Sequence, residues 1–218
     1  MTTVAVLNQK GGVGKTTLAV NLGAAAHVDG RRTLIVDMDV QGSAAEWYTA
    51  RADDSKLAGL VVVKMDKRLT VPKFRELATG YDFVVLDGPP RLDEVTCSAA
   101  VAADVVLIPV SPGPFDLWAT SSTLATLDRA DEIREQLNRG RVRRAFVVNR
   151  AEVGTTLTKE TPEVLGEHGD VLEVIIHQRI AFKRSALIGE SVVTAGGDQA
   201  AESEIKGLYR AIAGRRTK

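Results

Sequence analysis

Cysteine, net charge and long apolar runs are what this 218-residue sequence lacks. A single cysteine, Cys97, excludes an intramolecular disulfide and suits a reducing compartment. Lysine and arginine total 28 and aspartate and glutamate total 28, so no global field draws the chain to nucleic acid or to an acidic membrane. An electrostatic partner has to be met by a local patch. No stretch reaches the roughly 20 apolar residues of a membrane-spanning helix. Met1-Thr2-Thr3-Val4 lacks the basic opening of a secretory leader and runs straight into a strand-like segment. The expectation is a cytoplasmic protein. Internal repeats, low-complexity segments and linkers are missing as well, and an apolar content of 44% is enough for a core, so residues 1–218 read as one domain.

Short β-branched runs alternate with helical stretches along the chain. Strands are predicted at Thr3–Leu7, Thr33–Asp37, Val61–Met65, Phe83–Asp87, Val105–Val110, Ala145–Asn149 and Val171–Ile176. Most are continuously apolar, as when helices cover both faces of a parallel sheet. Helices are predicted at Thr16–Val28, Ser43–Arg51, Val71–Ala78, Glu94–Ala103, Leu117–Asn138, Thr161–Glu167 and Glu202–Ala213. The pattern implies an α/β fold, a doubly wound and mainly parallel sheet with ligands at the carboxyl ends of its strands.

Asn8-Gln9-Lys10-Gly11-Gly12-Val13-Gly14-Lys15-Thr16-Thr17 joins the first strand to the first helix. Three glycines let backbone N–H groups curl around one anion, and the helix start adds a favourable dipole. Lys15 can reach the β- and γ-phosphates of a nucleotide, and the Thr16 hydroxyl is placed to ligate Mg²⁺. The usual phosphate-loop pattern has glycine where this chain has Gln9, and Lys10 sits inside the loop.

Lys10-Gly-Gly-Val-Gly-Lys-Thr-Thr17 resembles the deviant phosphate loop of the ParA/MinD family of P-loop ATPases. The resemblance implies ATP and Mg²⁺ as cofactors, bound by Lys10, Gly11, Gly12, Val13, Gly14, Lys15, Thr16 and Thr17. It also implies a homodimer that sandwiches ATP, with Lys10 reaching the partner's nucleotide. Spacing alone leaves Lys10 a solvated loop lysine.

Two apolar strands end in acids. Asp37 and Asp39, in Asp37-Met38-Asp39-Val40-Gln41, point to one side of an extended chain, where they suit Mg²⁺ and water positioning beside a triphosphate. Turn and cap chemistry is the plain alternative. The family pattern is Asp-x-Asp-Pro-Gln, whose second acid orients the attacking water; Asp39 matches it, while Val40 replaces the proline. The second strand closes on Asp87-Gly88-Pro89-Pro90, with Asp87 expected near Mg²⁺ and Gly88 near the γ-phosphate. The predicted catalytic residues are thus Lys10, Lys15 and Asp39, and the metal residues Thr16, Asp37 and Asp87. The proline-punctuated segment Ile108–Asp116 resembles one that lies near nucleotide and dimer interface in small plasmid-partition ATPases. Asn149-Arg150 resembles the family's adenine-contacting segment.

From residue 179 onward eight basic residues face four acidic ones. Partition ATPases of this family bind DNA non-specifically through a basic C-terminal surface, so the resemblance makes Arg179, Lys183, Arg184, Arg215 and Arg216 DNA candidates, with Arg139, Arg141, Arg143 and Arg144 a second cluster. Gln178–Ser185 resembles the family's strand-to-loop region before a Ser-Val element, here Ser191-Val192. Ala201, Ile205, Leu208, Tyr209 and Ile212 form one helical stripe that reads better as core packing than as a membrane face.

The implied function is a nucleoid-associated positioning ATPase. An ATP dimer on DNA would segregate a plasmid, chromosome or protein cargo, and a ParB-like or cargo adaptor would stimulate slow hydrolysis. The alternative within the family is a MinD-like, membrane-associated regulator of division. An iron–sulfur carrier sharing the loop needs two cysteines per subunit, and Cys97 alone cannot supply them. A metabolic ligase such as dethiobiotin synthetase fits less well with Lys10 and the Asp37/Asp39 pair.

Overall fold

The computed structural model describes residues 1–91 and 93–214. Among them, β1 (Thr2–Val6), β2 (Thr33–Asp37), β3 (Val61–Lys64), β4 (Phe83–Asp87), β5 (Val105–Val110), β6 (Arg143–Ala151) and β7 (Asp170–His177) form one sheet in the order β3-β2-β4-β1-β5-β6-β7. Every pairing is parallel. The helices are α1 (Lys15–Val28), α2 (Ser43–Thr49), α3 (Val71–Leu77), α4 (Glu94–Ala102), α5 (Pro114–Gln136), α6 (Thr156–Gly166), α7 (Ile180–Leu187), α8 (Val192–Ala195) and α9 (Gln199–Ala213). The predicted doubly wound architecture is what the chain adopts.

Alternation along each strand explains the continuous apolar runs. Val4, Val6, Ile35, Phe83 and Val85 pack with α1 and α9 on one face. Ala5, Leu34, Val36, Val84 and Leu86 pack with α3, α4 and α5 on the other. Both faces are dry, so each position is apolar whichever way it points. Helix α1 lies close to the sheet at Gly23, where a Cβ would stand 2.6 Å from Ile35 Cδ1. The α9 stripe is buried in full, and Tyr209 meets the Phe83 ring edge-on at 5.6 Å while donating to Asp29 at 2.7 Å. Each fully buried Leu or Ile there contributes roughly 1.5–3 kcal/mol. No described helix is long and apolar enough to cross a membrane.

The clearest departures from expectation are at α6, α7 and α8. Helix α6 begins at Thr156, five residues before the predicted start, and carries Pro162 inside it. Proline is a common first-turn residue, which is why the sequence places the start near it. The segment read as strand-to-loop at Gln178–Ser185 is mostly helix α7, followed by the short α8 with a Ser191/Thr194 capping box. Helix α7 buries only Phe182 and Ser185 and leaves Ile180 and Leu187 exposed, so it lacks the apolar stripe that marks a helix.

Candidate functional site

The carboxyl ends of β1, β2, β4, β6 and β7 converge on a cavity of about 330 Å³. It is lined at one end by Gly11, Gly12, Gly14, Lys15, Thr16 and Thr17, and at the other by residues that follow β6 and β7. The loop after β1 is anchored at its base by Asn8, whose Nδ2 donates to the Pro109 carbonyl at 2.8 Å and whose Oδ1 accepts from Lys10 N–H at 2.9 Å. Gly12 and Gly14 take φ of 76° and 92°. Gly14 is held closely as well: a Cβ there would lie 2.5 Å from Asn149 Nδ2.

Lys15 is 7% exposed, and its ammonium donates to the Lys10 carbonyl at 3.1 Å across the curl of the loop. Burial pulls its pKa below the usual lysine range, partly offset by Asp87 and Asp39. Lys10 lies half-buried on the other side of the loop and lines a second cavity of about 290 Å³ with Gly11, Gly12, Val13, Ser111, Arg150 and Gln178. The two lysines therefore serve different spaces. Ser111 brings the proline-punctuated segment to this outer cavity; Pro114 is where α5 begins.

Asp37 and Asp87 end adjacent strands as register partners, yet their carboxylates differ. Asp37 accepts from the N–H of Asp39 at 3.1 Å, Ala44 at 2.9 Å and Ala45 at 3.0 Å. Its acceptor capacity goes largely to the backbone. Asp87 is 1% exposed, and neither carboxylate oxygen has a hydrogen-bond partner. Burial is the main cause of a pKa pushed up to about 7; Thr16 lies near enough to lower it without closing a well-formed hydrogen bond. An orphaned, fully buried carboxylate beside a threonine hydroxyl and a phosphate loop fits a hard divalent cation that takes its other ligands from phosphate and water. Among the described residues no group of three or more His, Cys, Asp or Glu could hold a metal ion by itself. Gly88 follows under the loop, where a Cβ would collide with Leu7 at 2.3 Å. Asp39 lines the main cavity and accepts from Gln41 N–H at 3.1 Å.

Asn149 and Arg150 end on the phosphate loop. Asn149 Nδ2 donates to the Val13 carbonyl at 2.7 Å, and Arg150 donates to the Gly12 carbonyl. Arg150 has a φ of 57° where the β6–β7 register slips, so an irregular strand end aims its side chain at the loop. Both residues still border the main cavity.

The basic residues are distributed differently from expectation. Arg179 donates to Glu204 at 2.7 Å and lines the main cavity together with Lys183. Lys183 and Arg184 are exposed on α7. Arg215 and Arg216 lie outside the described residues. The second cluster is paired within the chain. Arg141, Arg143 and Arg144 pair with Glu135, Asp170 and Asp128/Asp131, and Arg139 donates to the Val101 carbonyl. Arg143 and Arg144 also start β6, at the amino end of a strand whose carboxyl end borders the cavity. The sequence reading missed Pro90, His177, Gln178 and Phe182 as cavity walls. Their signal was position alone: each lies at or after a strand's carboxyl end.

The model of the CobQ/CobB/MinD/ParA nucleotide binding domain matches residues 4–192. The maintenance of carboxysome distribution protein A of Halothiobacillus neapolitanus is 32% identical, over 96% of this chain and 95% of its own length. Its namesake in Gloeobacter kilaueensis is 38% identical, over 96% of this chain and 91% of its own. Among solved structures, apo McdA of Cyanothece has the same fold, with a TM-score of 0.76 at 17% identity over 98% of this chain and 100% of that one. With a phosphate loop built as the sequence implied and a family model spanning most of its length, this chain belongs to the CobQ/CobB/MinD/ParA family of nucleotide-binding domains.

Proposed function

We infer that this protein is a ParA-like ATPase that dimerises on ATP, binds DNA without sequence preference and positions a cargo until a partner protein triggers hydrolysis. The observation that carries the reading is the pair of lysines on opposite sides of one loop. Lys15 is turned into the inner cavity and Lys10 borders the outer one.

Lys15 and the loop N–H groups hold the triphosphate. Thr16 and Asp87 hold Mg²⁺, with Asp37 locking the turn beside them. Mg²⁺, when bound, neutralises charge on the β- and γ-phosphates. Asp39 orients water at the cavity, and Lys10 meets the nucleotide of the second copy. Four large apolar side chains support a protein-covered face. Val40, Val153, Leu157 and Ile180, between 50% and 80% exposed, all follow the carboxyl ends of β2, β6 or β7.

Lys183 and Arg184 are the described residues that best serve a DNA surface, and a dimer doubles their contacts. The names of the two relatives favour a large protein assembly as cargo over a plasmid. A membrane role has less support, since the α9 apolar stripe is spent on the core. Light scattering and DNA binding with and without Mg·ATP test the reading. An ATP dimer that binds random duplex at low salt is expected. A monomer in saturating ATP would overturn the sandwich, and liposome flotation with ATP would favour the membrane reading.

A further inference from the structure

The turn that presents Asp39 is gripped from two sides. On the inside, the Asp37 carboxylate accepts from Asp39, Ala44 and Ala45 and ties both ends of the turn to β2. On the outside stands Lys64, the last residue of β3 and the register partner of Asp37. Its Nζ donates to the Val40 carbonyl at 2.6 Å. The Gly42 N–H donates to the Asp39 carbonyl at 3.0 Å, which closes a four-residue turn with Val40 and Gln41 at its centre. The lysine sits tightly over this turn, because a Cβ on Gly42, whose φ is 72°, would stand 2.9 Å from Nζ.

We propose that Lys64 is a positioning residue for hydrolysis, its ammonium fixing the Asp39–Gly42 turn and thereby the direction of the Asp39 carboxylate at the cavity. The proposal rests on the ATPase reading above. Val40 cannot anchor the turn by burial, since it is 64% exposed. Among the described residues no hydrogen bond uses its N–H. The other bonds of the outer half, from the Gln41 and Gly42 N–H groups, both end on Asp39 inside the turn. The Val40 carbonyl is what ties it to β3, and a charged donor makes the stronger kind of hydrogen bond to it. Val40 occupies the second position of the turn, where φ near −60° is the rule and proline is favoured. A covalent constraint there can do the same work as the lysine without any contact to β3.

Three variants test this: Lys64→Met, Lys64→Arg, and Lys64→Met combined with Val40→Pro. Two measurements are made, amide exchange at Gln41 and Gly42 in nucleotide-free protein and steady-state ATP hydrolysis over a range of ATP concentrations. Lys64→Met should speed exchange at both amides and lower kcat about fivefold, the effect of one net hydrogen bond, with KM for ATP held within about twofold. Lys64→Arg should behave as the parent, and Val40→Pro should recover most of both losses in the methionine background. Unchanged exchange and kcat in Lys64→Met, or no recovery with Val40→Pro, would overturn the proposal. A parent that hydrolyses no ATP would sink the ATPase reading instead. The exchange data, taken without nucleotide, would still report whether Lys64 holds the turn.

Discussion

Replacing Asp87 by Asn should stabilise the nucleotide-free protein at alkaline pH while removing its use of Mg²⁺. The carboxyl is 1% exposed with both oxygens unpartnered, and burial moves its pKa from 3.8 to about 7. Asp37 and Asp39 push the same way, and Thr16 and Lys15 oppose. A folded-state pKa above the unfolded one means that the native protein holds the proton more tightly. The resulting stability is fully present below about pH 4 and is lost as pH rises through about 7. The whole difference is on the order of 4 kcal/mol, of which about 3 kcal/mol falls between pH 5 and pH 8. Asn keeps the shape and never ionises. Its amide adds a penalty for unpaired donors, but that penalty does not vary with pH. Urea unfolding of parent and Asp87→Asn at pH 5 and pH 8, in chelator and without nucleotide, should show the variant gaining about 3 kcal/mol relative to the parent between the two conditions. The same variant should show ATP affinity that no longer responds to Mg²⁺. A stability difference independent of pH would refute the assignment of a strained, buried charge waiting for a cation.

Lys15→Ala should weaken ATP binding by about 100-fold in calorimetry, because the ammonium is the one buried cation facing the phosphate end of the inner cavity among the described residues. Lys10→Ala should bind ATP with near-parental affinity yet stay monomeric by light scattering; a normal ATP dimer would reduce Lys10 to a loop cation. Asp39→Ala should dimerise with ATP and hydrolyse it at least about tenfold more slowly, so that single-turnover decay matching the parent would move water positioning elsewhere. Lys183→Glu with Arg184→Glu should abolish ATP-dependent binding to unrelated duplexes at fixed ionic strength, and milder single variants should flatten the salt dependence by about 0.9 log units per lost phosphate contact. Because Lys183 also borders the cavity, ATP affinity is the control, and DNA binding that survives with ATP affinity intact would clear α7 of this role.

The architecture was readable in the sequence because its signals are local. Seven apolar runs, each bounded by helical stretches, correspond to the seven described strands, and β2, β4 and β5 start and end where the sequence places them. The phosphate loop was readable for the same reason, since glycines, lysine and threonine act within ten consecutive residues. Helix α7 was not readable, because it packs through Phe182 and Ser185 alone and its exposed Ile180 and Leu187 break the periodic signal.

Pairings between distant segments were decided by tertiary structure alone. Asp37 and Asp87 look alike in sequence, each an acid closing an apolar strand. Only the fold gives three backbone donors to one and none to the other. The arginines at 139–144 look like an anion site until Glu135, Asp128, Asp131 and Asp170 are brought against them. Arg179 looks like a free surface cation until Glu204 on α9 meets it. Composition and periodicity are properties of one segment and survive in the linear chain. The charge state of a buried acid, or the availability of an arginine, depends on what the rest of the chain places within a few ångströms, and that is settled only on folding.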